Sequence, residues 1–450
     1  MTLTYEEAET VRSDAITTLT GRAVLPEGLR ESRIDIQSGT ISGVCEFSAP
    51  DTGDRIIFPG FVDLHVHARE YVKPNGGNRE ALATWEAVNQ KENFETAGLA
   101  AINGGVTAFV AMSNDPNPPE DLKSYSGKRE LAQSCPCPVV VMGAVTRSSE
   151  PWEDIPYKVY LDPAPSPFSF DSWRDFNEVV SRYAGCKLFF HAEDPEFING
   201  QGTGGPRWRT RAGEAEFRAV DRILELTAKY GLRSHICHIS TQKALELLVA
   251  SNKTTSSRVT TEVTPHHIFF SISHEGVSAA LGNPDADEEM FDCNPPLRTE
   301  DDRRFLLEAL LLGDVDCLAT DHAPHTLEDK KRGAPGMPHL DTLGPFVGWL
   351  MHDCGFPPER IAQILAEKPA DILKGYGGVT PAGIIRSGYA ASFTVIDLGM
   401  QSTIKGSEIL DRGPLRTKCS WSPFSGITLP ASVLSTVING TQYLFSDNCS

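Results

Sequence analysis

The chain is short of positive charge: 41 lysines and arginines stand against 60 aspartates and glutamates, a formal net charge of −19 over 450 residues. Nucleic acid and anionic membranes are both held through basic surfaces, so neither is expected as a partner. Long apolar runs are missing too; no stretch approaches the roughly 20 residues that cross a bilayer. Met1–Thr10 lacks the basic-then-apolar pattern of a secretory signal, and a cytoplasmic protein is expected. Cysteine occurs ten times but never as CxxC. Cys135 and Cys137 flank Pro136, and Cys237 and Cys317 lie in strand-like runs, so the thiols read as small buried hydrophobes and not as a disulfide framework. No long repeat or low-complexity linker is visible. No Gly-rich phosphate loop follows the first strand, which counts against a doubly wound nucleotide-binding sheet.

In the place of that loop stand two histidines. The run Ile56, Ile57, Phe58, Pro59, Gly60, Phe61, Val62, Asp63, Leu64, His65, Val66, His67 is apolar and strand-like. Side chains two apart on a strand share a face, so two imidazoles converge on one point. Alone, His-x-His is more often a solvated loop pair. Here Lys158, His191, His238 and Asp321 follow, each within or just beyond its own apolar run.

Strand and helix patterns alternate through the middle of the chain, which predicts a parallel sheet with helices outside. Eight strands are expected: the segment entering His65, then Val106–Ser113, Val139–Val145, Tyr157–Leu161, Lys187–His191, Ser234–Ile239, Val259–Val263 and Asp316–Thr320. Helices are expected over Asn93–Asn103, Asp171–Tyr183, Glu214–Tyr230, Thr241–Ala250 and Glu300–Leu312, with Gly104 and Gly231 as stops. Eight such units predict an α/β fold of the (β/α)8 TIM-barrel type, whose active site lies at the carboxyl ends of the strands, where nearly all the candidate ligands fall, Lys158 lying near the start of its strand. The flanks have short β patterns between Gly, Pro and Ser. Residues 1–55 and 381–450 are expected to join into one small β domain beside a barrel over 56–380, with Pro358–Leu373 closing the barrel. The Pro-rich run Asp162–Pro167 and the Gly-rich run Gly200–Gly205 are candidate loops over the site, or plain surface insertions.

Four imidazoles and one carboxylate cannot fill two metal ions without a bridge. Lys158 as an ammonium repels cations, but carbamylation by carbon dioxide turns it into an anionic oxygen ligand; the alternative is a lysine that snorkels to solvent or pairs with an acid. Two divalent ions can share a hydroxide and polarise a carbonyl, which gives a hydrolase. Asp321 is suited to be both ligand and proton shuttle. Zinc fits such donors, with manganese, cobalt or iron as alternatives.

The runs PGFVDLHVHARE, YKVYLD, HAED, HICHIS, NPPLR, ATDHAPH and KCSWSPFSG together resemble the dihydroorotases of the amidohydrolase superfamily, class I in particular, from about Phe58 to Gly426. The resemblance implies reversible cyclisation of N-carbamoyl-L-aspartate to L-dihydroorotate in pyrimidine biosynthesis. It implies His65, His67 and Asp321 on one metal, His191 and His238 on the other, and carbamylated Lys158 between them. It assigns the anionic substrate to Arg69, Asn114, Asn294, Arg298 and His325. It further implies a homodimer able to associate with aspartate transcarbamylase. Arg69 discriminates: allantoinases tend to carry asparagine there, and hydantoinases a more apolar loop. The competing readings are another cyclic amidohydrolase, such as a dihydropyrimidinase, hydantoinase or allantoinase, and a silent homologue acting as a scaffold. Scaffold chains usually lose metal ligands, and this one keeps all six.

The sequence departs from the family pattern after Glu70, where Tyr71, Val72 and Lys73 precede Pro74, and again at Gly336–Leu340. His266 and His267 read as structural residues supporting the site, His235 as a core or interface residue turned from the metal, and His274, His339 and His352 as ordinary polar positions.

Overall fold

A computed structural model describes residues 12–47, 53–75, 78–161, 168, 170, 172–200, 207–255, 258–281, 287–376, 382–410 and 412–444. The run Asp162–Pro167 and most of Gly200–Gly205 lie outside them.

All eight expected barrel strands form. They are β1 (Phe61–Val66), β2 (Val106–Ala111), β3 (Val139–Val141, continuing as Gly143–Ala144), β4 (Pro156–Tyr160), β5 (Lys187–His191), β6 (Arg233–Ile236), β7 (Thr260–Val263) and β8 (Cys317–Leu318). Each pairs in parallel with the next in chain order. The ring closes through a parallel bridge between Val66 and His322, where His67 N–H donates to His322 O at 2.8 Å and His322 N–H to His65 O at 3.2 Å. Val62, Leu64, Val110, Met112, Val140, Phe189, Cys237, Cys317 and Ala319, drawn from β1, β2, β3 and β5 and from on or just beyond β6 and β8, pack as one apolar cluster. Such side-chain filling makes a barrel a packed core and not a pore. Ile372 and Leu373, at the end of the predicted closing segment, pack against this cluster.

The helices start where local chemistry starts them. Asn93 caps Phe94–Asn103 in a reciprocal box with Thr96, Thr241 caps Gln242–Thr254, and Thr299 caps Glu300–Leu312. Gly231 ends Gly213–Tyr230 in the left-handed conformation, φ +60°. Gly104 likewise ends Phe94–Asn103, with φ −85°, and Gly105 takes the left-handed turn at +87°. Glycine is needed at 104 for space, since a Cβ there would stand 1.7 Å from Leu340 O.

Both flanks enter one eight-stranded sheet, in the order Arg12–Ala15, Thr441–Leu444, Ser432–Ile438, Phe393–Asp397, Arg55–Pro59, Thr18–Leu25, Gly28–Gln37, Thr40–Glu46. Arg55–Pro59, read in the sequence as the entry to the first barrel strand, instead pairs antiparallel with Phe393–Asp397. The chain crosses into β1 only at Gly60, so the change of sheet falls there and not after residue 55. Thr394 clasps this junction: its hydroxyl accepts from Phe61 N–H at 3.2 Å and donates to Gly105 O at 2.6 Å. Among the described residues no helix is long and apolar enough to cross a membrane, and nine cysteines are free thiols.

Candidate metal centre and active site

The candidate ligands gather at the carboxyl ends of the strands. The simple alternation that placed His65 beside His67 is not what aims them. β1 shifts register against β2 between Phe61 and Val62 and again between Asp63 and Val66. Such bulges re-aim side chains next to active sites. Asp63 fixes the bend by accepting from His65 N–H at 3.0 Å, Thr320 N–H at 3.1 Å and the Thr320 hydroxyl at 2.5 Å. Burial raises the Asp63 carboxyl to about 7 even against those donors.

His65 Nε2 and His67 Nε2 both face Asp321 Oδ1, at 3.3 and 3.1 Å. Donor atoms of these three residues all lie within 4.8 Å of one another. His191 ends β5, and its Nδ1 faces His238 Nε2 at 3.0 Å. His238, expected inside the sixth strand, lies two residues past its end. The rings of His65 and His238 stand 5.1 Å apart, which brings the two histidine pairs into one cluster. Burial holds His65 at about 4 and pushes His67 and His238 well below the ordinary imidazole range, so these rings are neutral and their lone pairs free. Burial raises the Asp321 carboxyl, opposed by His65 and Lys158.

Lys158 is fully buried among these residues. Its Nζ donates to Cys237 Sγ at 3.0 Å and stands 5.2 Å over the Tyr160 ring. Among the described residues no carboxylate lies within ion-pair distance of it, so neither alternative, snorkelling to solvent or pairing with an acid, is realised. A buried ammonium without a counter-charge is costly.

Backbone strain concentrates here. Among the described residues six non-glycines have positive φ, and Arg69 (+59°), His238 (+34°) and Asp321 (+46°) are three of them. Each costs on the order of 1–3 kcal/mol and persists where the surroundings over-determine it, as at functional sites.

The substrate residues separate into two sets. Arg69 Nη2 meets His325 Nε2 at 3.2 Å, and the buried Arg69 Nε has no partner. Asn114 turns its Oδ1 onto His67 Nδ1 at 2.6 Å, so it orients a candidate ligand. Asn294 and Arg298 are engaged elsewhere. Asn294 Oδ1 accepts from Arg207 at 3.1 Å, while Arg298 donates to Ser240 Oγ at 3.0 Å and Arg211 O at 2.7 Å. The last of these leaves Arg298 Nη2 buried and unpaired.

Sequence reading missed the carboxylates behind the histidines. Glu262 on β7 sets one oxygen 2.6 Å from His65 Nδ1 and the other 3.0 Å from His235 Nε2. Burial alone would raise its carboxyl, but those two rings pull it well below the usual range. Glu193 accepts at 2.8 Å from His191 Nε2 and pairs with Arg211. Burial opposes, but Arg211 and His191 hold its carboxyl low. Such partners fix the tautomer and orientation of a metal-ligating imidazole. The available signal was a carboxylate in or just past a strand: Glu262 in TEVTPHH, Glu193 two residues beyond β5 in HAED. His235 is thus a buried wall residue tied to His65 through Glu262. His266 Nδ1 and His339 Nε2 meet at 3.0 Å, both buried, so His339 is more than an ordinary polar position.

The chain resembles known proteins in sequence and in fold. The amidohydrolase family profile matches residues 56–442. A dihydroorotase of Archaeoglobus fulgidus is 30% identical over 412 residues, covering 88% of this chain and 89% of that protein. A dihydroorotase of Anaplasma phagocytophilum is 32% identical over 410 residues, covering 87% and 83%. Among solved structures, an L-hydantoinase (dihydropyrimidinase) from Arthrobacter aurescens has a TM-score of 0.75 at 21% identity and 94% coverage of both chains. That last likeness is one of fold. With its profile match across most of its length and its relatives at 30% identity or more, the chain belongs to the amidohydrolase family.

Proposed function

We propose that this chain is a dihydroorotase that interconverts N-carbamoyl-L-aspartate and L-dihydroorotate at a two-metal centre, as a step of de novo pyrimidine synthesis. The observation that carries the reading is the Arg69–His325 pair, 3.2 Å apart, set beside the His65–His67–Asp321 donors. A neutral ring amide has no use for a buried guanidinium with a free N–H; a ring that bears a carboxylate does.

The donor set fits two divalent ions. His191 Nε2 donates to Glu193, so its Nδ1 presents a lone pair to His238 Nε2. If His238 carries its proton on Nε2, its buried Nδ1 is a bare acceptor without a partner; if on Nδ1, two lone pairs face each other. A cation between the rings relieves the second arrangement, in which both lone pairs can hold it. His65, His67 and Asp321 would hold one ion, His191 and His238 the other, and Lys158, once carbamylated on Nζ, would offer oxygens to both. Zinc suits imidazole and carboxylate donors, and manganese, cobalt and iron share the preference. A bound pair of such ions supplies Lewis acidity, bringing a water's pKa to about 7 and polarising a carbonyl.

The chain's own groups do the rest. Arg69 and His325 bind the substrate carboxylate and so fix which ring carbonyl faces Asp321. Asp321 takes the proton of the attacking water at its carboxylate and returns it to the leaving ring nitrogen; in cyclisation the transfers reverse.

The test is a metal-replete assay of dihydroorotate beside dihydrouracil, hydantoin and allantoin, with metal per chain measured on the same sample. Turnover of dihydroorotate, lost on Arg69→Met, is expected. Turnover of only the uncharged rings would move the chain to the hydantoinases, and absence of both metal and turnover would make it a scaffold.

A further inference from the structure

His325 has a neighbour on each ring nitrogen, and both neighbours are donors. Arg69 Nη2 stands 3.2 Å from Nε2 and Lys91 Nζ stands 3.3 Å from Nδ1. A neutral imidazole has one N–H and one lone pair, while guanidinium and ammonium groups only donate. With a cationic donor on each nitrogen, one nitrogen accepts and the N–H of the other points at a group with no lone pair to offer. The ring cannot resolve this by charging, because burial, Arg69 and Lys91 hold it far below the usual imidazole range. The three groups hold one donor too many and an excess of positive charge. Among the described residues Asp329 is the carboxylate within ion-pair distance of it, 3.4 Å from Lys91 Nζ.

The surroundings keep the three groups in place. Trp421 Nε1–H donates to His325 O at 2.7 Å. Lys91 is followed by Glu92, a fully buried carboxylate that accepts from the Thr417 hydroxyl at 2.5 Å and meets His322 Nε2 at 3.1 Å. That anchor fixes the backbone at Lys91 against the end of the barrel where the metal donors lie. The ammonium itself, on a flexible four-carbon stem, is free to turn.

What the cluster lacks is an anion with at least two acceptor oxygens. We propose that Lys91 is a specificity-determining residue of the carboxylate subsite, turning its Nζ from His325 Nδ1 to a substrate carboxylate that Arg69 and His325 also engage. This rests on the dihydroorotase reading and assigns the segment after the unusual Glu70 loop a part in it. With a carboxylate present, each donor has an acceptor, and the excess charge is reduced by one.

The test compares wild type, Lys91→Met and Lys91→Arg. Calorimetry measures the affinity of the metal-loaded enzymes for orotate and for uracil, the same ring with and without the carboxylate, alongside kcat and KM for dihydroorotate. The expected result is that Lys91→Met raises KM and weakens orotate at least tenfold, lowers the orotate-to-uracil affinity ratio by the same factor, and that Lys91→Arg restores most of both. Equal loss of orotate and uracil, a fall in kcat with KM unchanged, or failure of Lys91→Arg to rescue a folded chain would each overturn the proposal. A Lys91→Met chain that does not fold leaves the Lys91→Arg affinity ratio as the deciding measurement, with wild-type-like selectivity expected. Wild type that turns over dihydroorotate while Lys91→Met matches it refutes the role of Lys91 alone; wild type that neither binds orotate nor turns over dihydroorotate refutes the dihydroorotase reading with it.

Discussion

Glu262 Oε1 lies 2.6 Å from His65 Nδ1, so the imidazole nearest the metal donors is oriented from behind by a carboxylate buried in the next-to-last barrel strand. Its second oxygen holds His235. Removing the charge while keeping the shape, as in Glu262→Gln, is expected to weaken metal binding by about 10–100-fold, the usual effect of losing such a partner. Competition with a chelator measures it; unchanged affinity would mean that the carboxylate serves packing only.

Asp321 carries the proposed proton transfer. Asp321→Asn keeps the shape and abolishes the basic oxygen, and kcat is expected to fall by about 10²–10⁴-fold. Because Asp321 also faces His65 and His67, metal content is read on the same sample. Normal metal with full turnover would remove Asp321 from the chemistry.

Lys187 opens β5 at the amino end, away from the site, and burial lowers its ammonium from 10.5 to about 8. A lysine with a folded pKa below its unfolded value destabilises the fold wherever the unfolded chain holds the proton more tightly. Stability therefore rises as pH climbs from about 8 toward 10.5. Lys187→Met is expected to be more stable than wild type by about 2–3 kcal/mol near neutral pH, the gap closing in strong alkali. Denaturant midpoints across that range test this, and a gap that does not narrow with pH would assign the gain to packing instead.

Gly104 packs its α-carbon against Leu340 O, leaving 1.7 Å where a methyl would go. Gly104→Ala is expected to cost roughly 1–3 kcal/mol as overpacking against backbone. The loss appears as a lower denaturation midpoint with the kcat of the folded enzyme preserved. A neutral substitution would show that the segment from Leu340 yields easily.

The eight barrel strands and the order of the candidate ligands were legible because each candidate sits within or just past an apolar run, and such runs form strands wherever their side chains can be buried. The aim of the side chains was not legible. The bulges in β1 depend on how Asp63 binds Thr320, more than 250 positions away in the chain, and no local pattern encodes that bond. Asn114 was read as a substrate partner because it follows a strand at the right end, but its carbonyl is nearer a histidine than an open space. Asn294 bonds Arg207, and Arg298 bonds Ser240 and Arg211 O through Nε and Nη1 while its buried Nη2 has no partner. Lys91 went unnoticed since it borders an exposed helix, Arg79–Asn89, whose sequence looks like surface.

The threading of Arg55–Pro59 between Phe393–Asp397 and Thr18–Leu25 has a consequence for the order of assembly. The strand that leads directly into His65 and His67 is gripped on one side by a segment made more than 300 residues later, and Thr394 in that segment bonds the first amide of β1. During synthesis the strand that leads to the earliest proposed ligands therefore gains this partner only late. A nascent chain lacking Phe393–Asp397 and Ser432–Ile438 already contains every proposed ligand but not the strand partner and the Thr394 hydroxyl that flank the entry to the first two.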